Sequence, residues 1–256
     1  MKVLKRAELE EVAEGCYRFK KFSKHAVTAA FSGRRFRMNF SPGGNASLAI
    51  AHRKHFCQSL GLAFGNLVYL DQVHGTNIAR VGAREAGKGI RSLEDSLRGT
   101  DAVLTNVTHV TLSVHTADCA PLFFFDPKKR GIGMAHVGWR GAEKRLASKM
   151  VQAFRIQFLS QPEHLMISIG PMIRSCCYQV GPEFQEAFGG FVEKRPGGFY
   201  FDLFGWICDD LKSQGISQVQ IQDSGICTVC DNKRFPSYRK EGEKVRHMLS
   251  VLALNE

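Results

Sequence analysis

The sequence predicts an α+β protein, with mixed β-sheets flanked by helices in one compact domain over residues 1–256. Three observations lead there. Short Val-, Leu- and Phe-rich runs at 99–106, 110–115, 120–125 and 131–137 outnumber the segments with helical periodicity. The connections between them are too short for regular βαβ crossovers, so neighbouring strands pair in antiparallel or mixed sheets. No internal repeat, low-complexity tract or Pro/Ser-rich linker divides the chain. At 256 residues, 44% hydrophobic and 23% charged, the composition is that of an ordinary globular protein and excludes disordered, collagen-like and coiled-coil classes.

Taken in order, 41–45 (Ser-Pro-Gly-Gly-Asn) is a turn, and 46–60 is a helix of good helix formers that stops at Gly61. A buried strand follows at 66–73, with His74 and Gly75 at its end. The strands 99–106, 110–115, 120–125 and 131–137 come next, the third ended by Asp126-Pro127. Over 142–159, Leu146, Met150, Ala153, Phe154 and Phe158 recur at three or four, the pattern of an amphipathic helix. A strand at 165–169 stops at Gly170-Pro171, 184–188 and 203–211 are short helices, and 219–221 is a late strand.

The longest apolar runs are far shorter than the roughly 18 residues of a membrane span, and the first 14 residues have no apolar segment of a secretory signal. A soluble, cytoplasmic protein is expected, with its eight cysteines reduced. The net charge is +11. Nine Lys or Arg residues and no acid fall between 15 and 70, a segment that would attract phosphate-bearing ligands or read simply as a solvated basic face. No helix-turn-helix, zinc-finger, RRM or KH signature accompanies it, so nucleic acid is not the expected partner.

Three candidate functional residues fall at strand ends: His74, Cys119 and His136. A His/Cys/His set is a borderline-soft donor set suited to Zn²⁺, and three protein ligands leave the fourth tetrahedral position open, which is the arithmetic of a catalytic site. Copper-oxidase chemistry is disfavoured, because the chain has nine histidines and no His-x-His pair. Cys227-x-x-Cys230 has the spacing of half a zinc ribbon, with Cys176-Cys177 as an imaginable other half, but the absence of a second C-x-x-C favours core packing for these four. Cys16, Cys57 and Cys208 read as apolar filler, and His115 is the remaining histidine placed nearest the candidate site by its closeness to Cys119.

Seven fragments in register carry a resemblance: Gly44-Asn-Ala-Ser-Leu48, Gln72-Val-His-Gly-Thr76, Gly99-Thr-Asp-Ala-Val-Leu-Thr105, Thr116-Ala-Asp-Cys119, Ala135-His-Val-Gly-Trp-Arg-Gly141, Gly170-Pro-Met-Ile-Arg-Ser-Cys-Cys-Tyr178, and Cys227-Thr228 through Phe235-Pro-Ser-Tyr-Arg239. Together they resemble the bacterial polyphenol oxidase or laccase-domain family (YfiH-like, DUF152), whose mammalian relatives act on purine nucleosides. The resemblance implies a metal-binding catalytic trio of His74, Cys119 and His136, and a pocket in which a purine nucleoside meets zinc and phosphate. The implied activities are phosphorolysis of adenosine, inosine, guanosine and methylthioadenosine, and deamination of adenosine. Asp118 is then a candidate proton carrier, Asn45 a ribose contact, and Arg140, Arg239 and Arg246 anion contacts, since guanidinium grips phosphate bidentately. The region before Gly44 departs from the family pattern, and Val245-Arg246 replaces its Gly-Arg pair. A Cys119 nucleophile with His136 as base is the alternative, an amidohydrolase editing anionic peptidoglycan precursors. A basic binding module ranks third. The oligomeric expectation is a homodimer or a monomer.

Overall fold

A computed structural model describes residues 6–40 and 46–255. The chain builds two six-stranded sheets that face each other, each covered on its outer side by helices or loops. In the first sheet the strand order is Leu9–Ala13, Cys16–Phe19, Val27–Ser32, Met248–Leu254, Thr111–Thr116 and Leu67–Val68. In the second it is Ile221–Asp223, Met166–Ile169, Ala120–Asp126, Gly131–Val137, Ala102–Thr105 and Ile78–Arg80. Most pairs are antiparallel, but Leu67–Val68, Ile78–Arg80 and Ile221–Asp223 each join in parallel, so both sheets are mixed as expected.

Alternation along the central strands assigns the layers. Phe123 and Phe125 point between the sheets, where they meet Phe19, Phe31, Val114, Ile132 and Met134. Leu122 and Phe124 point the other way, onto the helices Leu146–Phe158 and Leu203–Lys212. Strand Ala120–Asp126 is therefore buried on both faces, which is why its sequence is a continuous apolar run and not an alternating one. The outer face of the first sheet carries Ala30, Leu249 and Val251 against helix Ala46–Ser59.

Four features differ from the sequence expectation. The strand expected over 66–73 is two short ones, because the chain changes sheets at Tyr69: Leu67–Val68 pairs with Thr111–Leu112, and Leu70–Asp71 with Leu97–Arg98. The helix expected over 142–159 is broken into Trp139–Glu143 and Leu146–Phe158 by Arg145, whose φ is +59°. Asp210 of the neighbouring helix holds the break: its carboxylate accepts the Ser148 N–H (3.0 Å) and Ser148 Oγ–H (2.6 Å), capping the second helix from outside its own chain segment. The late strand is Ile221–Asp223, preceded by a 3₁₀ turn. The N-terminal strands and Met248–Leu254 carry no pattern that distinguishes them locally, yet the latter sits centrally in the first sheet with Ser250 opposite Phe31.

The basic segment is also less free than its composition suggested. Arg18, Arg34 and Arg35 pair with Glu10, Glu241 and Glu14, and Arg53 is fully buried, donating to Met38 O with its guanidinium between the rings of Phe40 and Tyr69. Among the described residues, no helix is long and apolar enough to cross a membrane.

Candidate active site

His74, Cys119 and His136 come together where the chain passes from one sheet to the other. Thr116 ends a strand of the first sheet and Ala120 begins one of the second, so Cys119 lies on the crossing between them. That crossing is tight enough to put Asp118 at φ +86°. The conformation is held by Asp118 itself: its carboxylate accepts hydrogen bonds from Thr228 Oγ1 (2.5 Å), Ser237 Oγ (3.0 Å) and the Arg239 N–H (2.7 Å). Its carbonyl accepts from the Ile173 N–H. His136 follows from strand alternation: Ile132 and Met134 fill the space between the sheets, and the next residue on that face emerges at the cavity floor.

His74 has φ +58°, a left-handed conformation that needs local support in a non-glycine residue. Asp101 supplies it. This fully buried carboxylate accepts the N–H groups of Val73 (3.3 Å), His74 (2.9 Å) and Gly75 (2.6 Å), and its Oδ1 also meets His136 Nδ1 at 2.9 Å. One acid thus fixes the backbone of the first histidine and the ring of the second. With Nδ1 of His136 held by Asp101, the other ring nitrogen is turned toward Cys119, where it donates to the thiolate in the metal-free protein and would be free to ligate once a metal displaces that proton, the arrangement in which an outer carboxylate orients a ligating imidazole.

The trio's donor atoms all lie within 4.8 Å of one another, and the two imidazole rings meet edge to face at 4.7 Å. Gly138 closes in from behind: a Cβ there would lie 2.8 Å from Cys119 Sγ and 3.2 Å from His74 Cδ2. Burial opposes a thiolate at Cys119, but His136 and then His74 overcome it by charge and hydrogen bonding, lowering the thiol to about 6. Burial likewise opposes an imidazolium at His136, and Cys119 and Asp101 outweigh it, raising the group to about 9. The donor types, their spacing and the oriented imidazole all fit one metal ion.

The trio forms the floor of a cavity of about 660 Å³, within the range of small-molecule sites. Trp139, Tyr178, Phe184 and Tyr238 supply aromatic walls, and Arg140 and Arg239 stand at the rim. The guanidinium of Arg140 lies 4.2 Å from the Trp139 ring centre, while Arg239 Nη1 donates to Gln179 O at 2.8 Å. His115 also lines the cavity, in a stack between Tyr69 (4.9 Å) and His247 (5.3 Å). Burial, followed by the neighbouring histidines, holds its pKa well below the usual value, and His247 is lowered to about 4 for the same reasons.

Residues 23–255 match the family model described as multi-copper polyphenol oxidoreductase laccase. The chain belongs to this family. Among relatives of this laccase-like family, purine nucleoside phosphorylase YlmD of Bacillus subtilis is 30% identical over 215 residues, covering 81% of this chain and 77% of that protein. Adenosine deaminase RL5, from an unknown prokaryotic organism, is 28% identical and covers 78% of this chain and 79% of its own. The crystal structure of the hypothetical protein YfiH of Bacillus licheniformis superposes with a TM-score of 0.91 at 25% identity, covering 96% of this chain and 99% of that one. That of YlmD from Geobacillus stearothermophilus gives 0.91 at 24% identity over 98% of this chain and 100% of that one, a likeness of fold.

Of the residues singled out in the sequence, the fold gathers His74, Cys119, His136, Asp118, Arg140 and Arg239 around one cavity, with His115 beside them. Arg246 is exposed and does not line the cavity, whereas His247, the next residue, does. Asn45 lies outside the described residues. Asp101 is the functional residue that sequence reasoning missed, although a charged side chain opening the fully buried run Ala102–Thr105 is a signal that it is held for a purpose. Core packing for Cys176, Cys177, Cys227 and Cys230 is a correction, since Cys176 and Cys230 are exposed. Cys16, Cys57 and Cys208 are buried as expected, and burial raises the last two to about 12, leaving them inert thiols.

Proposed function

We propose that this chain is a single-domain, cytoplasmic, zinc-dependent purine nucleoside enzyme that phosphorolyses adenosine, inosine, guanosine and methylthioadenosine and deaminates adenosine. The observation that carries the reading is the convergence of a His/Cys/His donor set with aromatic walls and two rim arginines in one nucleoside-sized cavity. His74, Cys119 and His136 would hold the zinc, which supplies Lewis acidity at the cavity floor. Relatives named as purine nucleoside phosphorylase and adenosine deaminase support both reactions.

In phosphorolysis a phosphate oxygen bonds to C1′ of the ribose as the glycosidic C–N bond breaks, and the departing purine takes the electron pair and a proton. Arg140 and Arg239 are suited to grip the phosphate and hold it against the anomeric carbon. Trp139 and Tyr178 offer faces on which the purine stacks. Asp101 acts as a positioning residue, fixing His136 and the backbone of His74. Asp118, with both carboxylate oxygens occupied by Thr228, Ser237 and Arg239, is better suited to fastening the cavity wall than to carrying protons.

The thiolate–imidazolium pair of Cys119 and His136 favours a second reading, an amidohydrolase in which Cys119 is the nucleophile and peptidoglycan precursors are the substrates. Adenosine and inosine are incubated with protein of assayed metal content, with and without phosphate, and the products separated by chromatography. Free base formed only with phosphate, and lost on zinc removal, is the expected result. Turnover of neither nucleoside by zinc-loaded protein overturns the proposal, and hydrolysis of amide substrates in the presence of a chelator supports the second reading.

A further inference from the structure

Outside the trio, four more cysteines meet at the protein surface, drawn from two distant stretches of chain. Cys176 and Cys177 follow strand Met166–Ile169, and Cys227 and Cys230 follow Ile221–Asp223. Those strands are parallel neighbours with Ile169 opposite Asp223, so both loops leave the same end of the sheet in the same direction. Main-chain bonds continue the pairing into the loops: the Met172 N–H donates to Ile226 O (3.3 Å), and the Thr228 N–H to Met172 O (3.1 Å). The backbone therefore sets the cysteines side by side whether or not anything is bound to them.

All four Sγ atoms lie within 4.8 Å of one another. Cys176 Sγ is 3.7 Å from both Cys227 Sγ and Cys230 Sγ, and Cys177 Sγ is 3.4 Å from Cys230 Sγ. A tetrahedral tetrathiolate with Zn–S bonds of about 2.3 Å has S···S edges of ~3.8 Å. Disulfide-bonded sulfurs would instead stand about 2.05 Å apart, and all four cysteines are free. The vicinal pair contributes two ligands because it lies in a tight turn, closed by the Cys177 N–H on Arg174 O at 2.8 Å, that brings both sulfurs to Cys230.

We propose that Cys176, Cys177, Cys227 and Cys230 form a second metal centre, a closed tetrathiolate site for one Zn²⁺ that ties together two loops walling the cavity. Four thiolates leave no open coordination position, so the centre is structural. Its reach toward the cavity is through neighbours in sequence: Tyr178 and Gln179 adjoin Cys177, and Thr228, beside Cys227, holds Asp118. Arg239 Nη1 on Gln179 O already joins the same two parts of the wall once.

Reduced, metal-free protein titrated with Zn²⁺ and pulse-alkylated at each step, with the modified cysteines mapped by mass spectrometry, tests the proposal. Two equivalents are expected to bind, one protecting Cys119 and the other protecting Cys176, Cys177, Cys227 and Cys230 together. Cys230→Ser is expected to bind one equivalent and keep the zinc-dependent protection of Cys119. Should that variant not fold, the wild-type protection pattern decides alone. Saturation at one equivalent, with the four cysteines alkylated equally with and without zinc, overturns the proposal. So does a disulfide among them in protein purified without reductant and lacking a second metal.

Discussion

Gly138→Ala isolates the geometry of the trio from everything else at the site. The residue's φ of −86° and ψ of −179° are extended values that alanine adopts freely, so no backbone strain enters. The added Cβ would stand 2.8 Å from Cys119 Sγ and 3.2 Å from His74 Cδ2. Non-bonded heavy atoms prefer about 3.5–4.0 Å, so the sulfur must withdraw by roughly 1 Å. Metal–ligand distances tolerate about 0.2 Å, and disturbing groups that merely orient ligands already costs 10- to 100-fold in affinity. Zinc affinity at the trio should therefore fall at least about 100-fold, ~2.7 kcal/mol. The control is Gly141→Ala in the same helix, where the nearest atom to the new Cβ is Gly75 O at 3.4 Å, an ordinary contact. That variant should keep wild-type zinc affinity and gain up to ~1 kcal/mol of helix stability. The readout is the zinc concentration that half-protects Cys119 from alkylation, which reports the trio and no other thiol. Half-protection of Gly138→Ala at the wild-type concentration, in a protein with wild-type circular dichroism, would refute the reasoning.

Three further outcomes are expected. Asp101→Asn replaces an acceptor of four hydrogen bonds by a group that presents a donor to the same N–H cluster, so zinc affinity at the trio should drop 10- to 100-fold by the same protection assay. In metal-free protein the Cys119 thiol is lowered to about 6, so its alkylation rate should rise with pH through about 6 and be nearly level by pH 7. In His136→Ala, where the imidazolium is gone, that rise should move upward toward the ordinary thiol range; a profile that stays near 6 would show that His136 is not the cause. Asp210→Ala leaves the start of helix Leu146–Phe158 uncapped and Ser148 without its buried acceptor, which should cost about 3 kcal/mol, or roughly 6–12 °C in Tm by calorimetry.

Much of the second sheet is legible in the sequence because its signals are local. The run 131–137 forms a strand over those same residues, and 120–125 differs from the observed strand only by Asp126. Period-two alternation then aims His136 into the gap between the sheets. The trio is legible for a related reason: each member sits beside turn-forming or small residues, Cys119 and His136 at strand ends and His74 in the bend three residues after Asp71, in fragments distinctive enough to carry a family resemblance. Helix 142–159 fails because its periodicity is continuous across a break that Asp210 imposes from another helix.

By itself, then, the sequence determined the class of fold, most strands of the second sheet, and the placing of Cys119 and His136 at the ends of two of its strands, since alternation and turn chemistry are set by neighbours in the chain. Tertiary structure alone decided the rest. It placed Met248–Leu254 between Val27–Ser32 and Thr111–Thr116, gave Arg34 its partner Glu241, and set Asp101 under both His74 and His136. It also turned Cys176, Cys177, Cys227 and Cys230 from apparent core filler into one surface cluster. These pairings join residues tens to hundreds of positions apart, and no local pattern encodes which distant segments a folded backbone will lay side by side.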